Sequence, residues 1–325
     1  MQISDLKDGM MVAELTVLVV EKRTANAKNG KPYADLVVRD QSGSIKCKWW
    51  NYKEEGDSVA VGKVYAIVGQ VGSFAGDLQI NLGGYEPSSK QPEDFAKSTR
   101  FKVEEMMADI QEAIDEFTEP LTQYVASKFI KNGGFTQAPA ATGVHNAWIG
   151  GLLEHTWGML QLAKPIVEHY SHMYGAKLSK DKVIFGVICH DVLKSSEYDY
   201  HNPAFPKTPD GVLVNHIVLG PAVIYSLAHK WLKRERLAEG GKEIDHLEFI
   251  RERNHLMHLV ASHHGQLDWG SPVVPSTLEA VLLHQIDMID SRFMHALELT
   301  EGKEGPIPGF SERSWAEKTS YLLYK

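Results

Sequence analysis

The spacing of apolar and polar positions changes character once along this chain. Residues 3–85 read as short strands. MVAELTVLVVEKRTA is rich in β-branched residues, and NGKPYADLVVRDQSGSIKCKWW holds two further strand-like runs. Asn29-Gly30 and Ser42-Gly43 mark turns between them, and Gly76-Asp77 marks a hairpin tip inside KVYAIVGQVGSFAGDLQINLGGYE. Five strands of this length predict a small β-barrel. The stretch EPSSKQPEDFAKSTR is rich in Pro, Ser and charge, as a linker is. Beyond it the period becomes helical. VEEMMADIQEAIDEF repeats apolar residues three and four apart, and further helices are expected over 120–131, 145–174, 180–191, 215–237, 244–262 and 276–298. Pro165 is expected to kink or split the longest of them. Loops are expected at 133–144, 195–214, 238–243 and 265–275. The predicted organisation is a β-barrel over 1–86, a linker over 87–101 and an all-α domain over 102–325.

Composition refines this picture in two ways. The 325 residues are 43% hydrophobic and 23% charged, as in a globular protein of about two domains. The formal charge of -8 is uneven: residues 1–90 carry 11 basic and 11 acidic side chains, so the remaining 23 basic and 31 acidic residues account for all of it. Net charge alone therefore argues against nucleic-acid binding by the helical part, unless bound divalent cations restore positive charge locally. Cys47 and Cys189 lack metal-type or disulfide-type spacing, which suits a reducing cytoplasm. No signal-like segment and no apolar run of membrane length is evident, so no membrane association is expected.

All fifteen histidines lie between His145 and His295. Within that span His155, the pair His190-Asp191, His216, the pair His263-His264 and Asp287 occur in order on five helical patterns. Imidazole and carboxylate are the side chains that hold first-row divalent metals. Adjacent helical residues point about 100° apart, so two neighbours serve one site best at a helix end. KVIFGVICHD and HLMHLVASHHG both place their pairs there, the second before Gly265, which reads as a helix stop. Asp287 stands on an apolar helix, where a lone carboxylate needs a partner. His284 and Asp290, on that same helix, could orient a ligand from behind. His169, His172, His229, His246, His255, His258 and His295 read as surface or hydrogen-bonded residues, and Cys189 as packing beside the site.

The order H…HD…H…HH…D resembles the HD superfamily of metal-dependent phosphohydrolases, in the variant that holds two metals. PAATGVHNAWIGGLLEHT, ICHDVLKSSEY, NHIVLG and ASHHGQLDWGSPVVPSTLEAVLLHQIDMID, together with the N-terminal barrel, are similar to the YhaM-type 3'-to-5' exoribonucleases over nearly the whole chain. The resemblance implies an OB-fold followed by an HD domain. It makes His155, His190, Asp191, His216, His263, His264 and Asp287 ligands of two divalent ions, with Asp191 bridging. Mn²⁺ is the first expectation for this mixed His/Asp set, with Fe, Co or Ni as alternatives. Lys194 matches a phosphate-binding lysine and joins Asp191 as a catalytic candidate; His145 matches a substrate contact. Leu193 stands where the family often has glycine, which could re-aim Lys194. The implied reaction is attack of a metal-activated hydroxide on the terminal phosphodiester of single-stranded RNA, and DNA as an alternative, releasing nucleoside 5'-monophosphates. Hydrolysis of a mononucleotide or cyclic nucleotide, or single-strand binding without catalysis, are the competing readings.

The barrel would hold the strand upstream. Tyr33, Trp49, Trp50, Tyr52 and Phe74 offer faces for base stacking, and Lys28, Lys31, Lys46 and Lys48 offer charge. Lys46, Lys48 and Trp50 alternate with Ile45, Cys47 and Trp49, so one set faces solvent and at least one of the two tryptophans is core. Tyr33, Lys48 and Trp50 are the substrate-binding candidates here. A homo-oligomer is left open.

Overall fold

A computed structural model describes the chain except residues 28–29, 51, 54–57, 75–76, 96, 142–146, 176, 203, 238–242, 303, 315–316 and 324–325. His145, Lys28, Asn29 and Gly76, singled out above, lie outside the described residues. The chain divides into two compact units. One is Met1–Ser98 with Asp199–Pro206; the other is Thr99–Tyr198 with Lys207–Lys325.

The first unit is a closed barrel of β1 (Met11–Asn26), β2 (Pro32–Asp40), β3 (Gly43–Trp49), β4 (Val64–Phe74) and β5 (Asp77–Pro87), in the order β1-β2-β3-β5-β4. Only the β3–β5 pairing is parallel. Strand β1 closes the barrel by pairing with both β2 and β4, and register shifts at Val12/Leu15 and Val19/Glu21 bend it to do so. Strict alternation sets the faces. Ala34, Leu36, Val38, Ile45 and Cys47 point inward, which leaves Lys46 and Lys48 outward as their spacing predicts. Phe95, in a 3-10 turn at Pro92–Phe95, packs with Leu18 and Val64, so this part of the linker-like stretch is seated on the barrel.

The second unit contains α1 (Val103–Asp115), α2 (Pro120–Phe129), α3 (Gly151–Tyr174), α4 (Lys180–Cys189), α5 (Lys194–Glu197), α6 (Pro209–Leu213), α7 (His216–Leu237), α8 (His246–Ser262) and α9 (Leu278–Thr300). Helix α4 is its axis. Every residue from Val183 to Cys189 is buried, and α1, α2, α3, α8 and α9 pack around it. A helix with no polar face must lie inside a domain. No helix among the described residues is long and apolar enough to cross a membrane.

Two expectations are corrected. Helix α3 begins at Gly151 and is not split at Pro165, which sits at an exposed position where water can replace the hydrogen bond that proline cannot donate. The segment 195–214 is not all loop, because it contains most of α5 and the whole of α6. The start of α6 was legible: Thr208 caps Gly211 N–H through its hydroxyl at 2.9 Å, and Pro209 occupies the first turn.

The starts of α4 and α9 are tied together by Glu279. Its Oε1 accepts from Ser179 N–H at 3.0 Å, and its Oε2 lies 3.4 Å from His255 Nε2 on α8. Burial opposes the charge, but His255 and the Ser179 amide hold the carboxyl down to about 2. A lowered carboxyl pKa contributes stability that is complete above the ordinary value of 4.5 and is lost as pH falls through about 2. Glu279→Gln is therefore expected to cost about 1.5–3 kcal/mol of stability at neutral pH. In urea titrations that difference should vanish as the pH is lowered from 4.5 to 2.

Candidate metal centre

Five separate segments bring the seven sequence-predicted residues together. His155 comes from the second turn of α3. His190 and Asp191 follow the last residue of α4, His216 opens α7, His263 and His264 follow α8, and Asp287 lies in the third turn of α9. Each histidine–carboxylate or histidine–histidine pair sits at a helix end, where the backbone leaves the helical path and neighbouring side chains can converge. Gly265, at φ +79°, turns the chain away after His264. A side chain at position 265 would meet the His284 ring at 2.3 Å, and His284 Nδ1 is bonded to the His263 carbonyl at 2.8 Å. His284 thus holds the turn that presents the pair.

Asp191 is the centre of the arrangement. Its Oδ1 lies 3.1 Å from His216 Nε2 and 3.4 Å from His263 Nε2. Its Oδ2 lies 3.2 Å from His190 Nε2 and 4.0 Å from His155 Nε2. His155 Nε2 also lies 3.4 Å from Asp287 Oδ1. The donor atoms fall into two sets, His216/His263/His264 and His155/His190/Asp287, each with its atoms within 4.8 Å of one another. One carboxylate oxygen faces each set. His155, His190, Asp191 and His263 are at most 2% exposed.

Every imidazole uses Nδ1 for a protein partner and turns Nε2 inward. The partners are Asp290 for His155, the Val187 carbonyl for His190, Glu197 for His216, the Val260 carbonyl for His263 and the Trp269 carbonyl for His264. An Nδ1–H that donates to these acceptors leaves a lone pair on Nε2. The Nε2 atoms of His190, His216 and His263, together with Asp191 Oδ1, are buried without a hydrogen-bond partner among the described residues. Each such atom costs about 1–3 kcal/mol if nothing meets it. A convergent set of lone pairs on imidazole and carboxylate is what a divalent cation satisfies, so these residues fit a metal pair.

The electrostatics agree. Burial opposes charge on Asp191, but Lys194 and His190 beside it hold its carboxyl well below the usual range. Burial likewise opposes charge on His155, yet hydrogen bonds to Asp287 and Asp290 push it up to about 10, so the pocket attracts positive charge strongly. Burial pushes His263 down to about 3 and keeps its imidazole neutral. Lys194 Nζ stands 2.6 Å from Asp191 Oδ2. Leu193 is buried at φ -80°, and it does not divert Lys194 from the site.

Two acceptors behind the ligands carry different lessons. Asp290 was legible as a residue able to orient a ligand. Glu197 was not singled out, and its only signal was a carboxylate on an otherwise uncharged short turn three residues after Lys194.

The barrel candidates gather separately. Lys48 Nζ lies 4.3 Å from the Tyr33 ring centre and 5.4 Å from that of Trp50, and the two rings lie 5.4 Å apart. Trp50 is 51% exposed, and its Nε1 donates to Asn81 Oδ1. Trp49 packs edge-on to Tyr52 and Tyr85 against the barrel core, so it is the core member of the pair. Lys48 is also paired with Asp35 at 2.5 Å, which offsets part of its charge for any phosphate.

Comparison with known proteins identifies the lineage. Residues 14–87 match the OB-fold nucleic acid binding domain family, and residues 152–292 match the HD domain family. A 3'-5' exoribonuclease YhaM of Geobacillus sp. (strain WCH70) is 32% identical over 299 residues, covering 89% of this chain and 85% of that protein. The chain belongs to the YhaM family. The Bacillus subtilis (strain 168) member, also named 3'-5' exoribonuclease YhaM, is 32% identical over 284 residues and spans 85% of this chain and 83% of its own length. YhaM membership accounts for the succession of an OB barrel and an HD helical unit.

A cation that binds only the folded form stabilises it, by about 2.7 kcal/mol per site at a hundredfold excess over the dissociation constant. Adding MnCl₂ to chelator-treated protein is expected to raise its melting temperature, and EDTA should reverse the rise. An unchanged melting temperature at millimolar Mn²⁺ would count against the metal centre.

Proposed function

We propose that this chain is a divalent-metal-dependent exonuclease that shortens single-stranded RNA from the 3' end and releases nucleoside 5'-monophosphates. The observation that carries the reading is Asp191, buried with one oxygen toward each of two imidazole sets whose Nε2 atoms point at it. The two sets would hold one ion each, with Asp191 shared, and Mn²⁺ suits this mixture of imidazole and carboxylate. When bound, such a pair supplies Lewis-acid stabilisation of phosphoryl oxygens and lowers the pKa of water. Asp191 keeps the two sets in register. Lys194 adds a fixed positive charge 2.6 Å from Asp191, where the phosphoryl oxygens gain negative charge during displacement. The exposed cluster of Tyr33, Lys48 and Trp50 supports single-strand binding by the barrel, because stacking accepts any base. The direction of digestion and the preference for RNA follow from the activity named for the relatives.

The test uses 5'-labelled single-stranded RNA and DNA with and without Mn²⁺. A ladder shortening from the 3' end, with nucleoside 5'-monophosphate as product, is expected for RNA with Mn²⁺. Hydrolysis of free or cyclic nucleotides with no shortening of RNA would overturn the reading. Asp191→Ala is expected to lower turnover by about 10³-fold or more, since it removes a group shared by both sets. Circular dichroism should show that the variant remains folded. Trp50→Ala and Tyr33→Ala are each expected to weaken RNA binding by about 1–3 kcal/mol. Neither should change hydrolysis of a small phosphodiester such as bis(p-nitrophenyl) phosphate, which carries no nucleobase and no upstream strand.

A further inference from the structure

Each of the two donor sets contains one histidine backed by a carboxylate, while its other histidines are backed by main-chain carbonyls. In the first set, His216 Nδ1 lies 2.7 Å from Glu197 Oε2, whereas His263 and His264 meet the Val260 and Trp269 carbonyls. In the second, His155 Nδ1 lies 2.7 Å from Asp290 Oδ2, whereas His190 meets the Val187 carbonyl. A carbonyl fixes the tautomer of an imidazole. A carboxylate does that and also adds negative charge along the ring, which makes Nε2 a stronger donor to a cation.

Both carboxylates are built into place. Glu197 is 5% exposed and accepts from three groups: His216 Nδ1, His216 N–H at 3.3 Å and Lys207 Nζ at 2.6 Å. Its backbone is clamped by α6. Thr208 N–H donates to the Glu197 carbonyl at 2.9 Å, and a Cβ on Gly211 would lie 2.3 Å from that oxygen. Asp290 sits one turn beyond Asp287 on α9, and it reaches His155 over Gly158. A Cβ at position 158 would stand 3.0 Å from Asp290 Oδ1. Two unrelated segments, each cleared by a glycine, therefore deliver one carboxylate to the back of one histidine per set. Neither carboxylate belongs to the donor sets themselves.

We propose that Glu197 and Asp290 are positioning residues with divided duties. Glu197 sets the affinity of the ion held by His216, His263 and His264, and Asp290 sets that of the ion held by His155, His190 and Asp287. The proposal rests on the two-cation reading of the site. It predicts that the two positions can be weakened one at a time, through residues that touch neither ion nor substrate.

Full-length wild type, Glu197→Gln, Asp290→Asn and His216→Ala would be stripped with chelator and titrated with MnCl₂. Free Mn²⁺ is followed by its six-line electron paramagnetic resonance signal, and bound metal is counted by mass spectrometry after desalting. Wild type is expected to bind two ions. Glu197→Gln and Asp290→Asn should each keep one ion at wild-type affinity and bind the other about 10–100-fold more weakly. Combined with His216→Ala, Glu197→Gln should add little further loss, because both act on one position. Asp290→Asn in the same background should weaken the ion that remains. The proposal is overturned if both single variants bind two ions as wild type does, or if each weakens both ions equally. A wild type that binds fewer than two ions would instead sink the cation-pair reading, and the proposal with it. If Glu197→Gln does not fold, Lys207→Met serves in its place, since Lys207 is half exposed and holds Glu197. Several-fold weakening of one ion in that variant supports the proposal, and wild-type affinity for both ions overturns it.

Discussion

The helical unit is organised by the cost of burying Asp191. A carboxylate 2% exposed at the end of an apolar helix is untenable unless positive charge and donors surround it. Lys194 supplies one charge from three residues along the chain. Imidazoles from α3, α7 and the end of α8 line the rest of the shell with Nε2 atoms that a cation would meet on the proposed reading, and those segments converge at the end of α4. The all-apolar stretch Val183–Cys189 makes this feasible, because it lets α4 run through the middle of the bundle and deliver His190 and Asp191 to its interior. Core packing and site assembly are thus one constraint. The helix that fills the core also delivers Asp191 to the centre of the histidine cluster.

This explains which parts of the protein were readable in the sequence. The barrel was readable because its strands are buried on one face only, so β2 and β3 alternate cleanly and Lys46, Lys48 and Ile45, Cys47 separate by parity. The donor residues were readable because histidine and aspartate are chemically rare on apolar helices, and their order matches a family pattern. Glu197 escaped because glutamate near a short polar turn is common on surfaces. Only the tertiary clamp by Thr208, Gly211 and Lys207 shows that it is buried. Pro165 misled for the opposite reason. Its local preference is strong, but one missing hydrogen bond on an exposed face is a small penalty beside the apolar residues that α3 buries from Leu152 to Val167.

The two donor sets are similar in plan but differ in detail. One is three imidazoles and the other two imidazoles and a carboxylate, so the second carries an extra negative charge of its own. The pKa directions follow that difference. Burial opposes charge on both rings; at His155 the hydrogen bonds to Asp287 and Asp290 overcome it and push the group up to about 10, while at His263 burial prevails, with His264 and His190 nearby, and takes it down to about 3. Equal ligand counts therefore do not mean equal electrostatic environments. A site with one more electron-rich and one more neutral position would, on the proposed two-cation reading, give the two ions distinct surroundings.

Charge distribution also constrains how such a protein can hold a polyanion. The first 90 residues balance 11 basic against 11 acidic side chains, and the rest of the chain carries the whole excess of -8. Neither part projects the broad positive field that dominates affinity in most nucleic-acid binders. At the barrel, Lys48 is partly offset by Asp35 and lies against two aromatic rings, so its cluster offers stacking surface more than free charge. At the centre, Lys194 and the raised His155 are already paired with Asp191, Asp287 and Asp290, so neither stands as free positive charge. On the proposed reading, attraction for phosphate would therefore be local, concentrated where the two donor sets would hold cations, with stacking at the barrel offering sequence-tolerant contact.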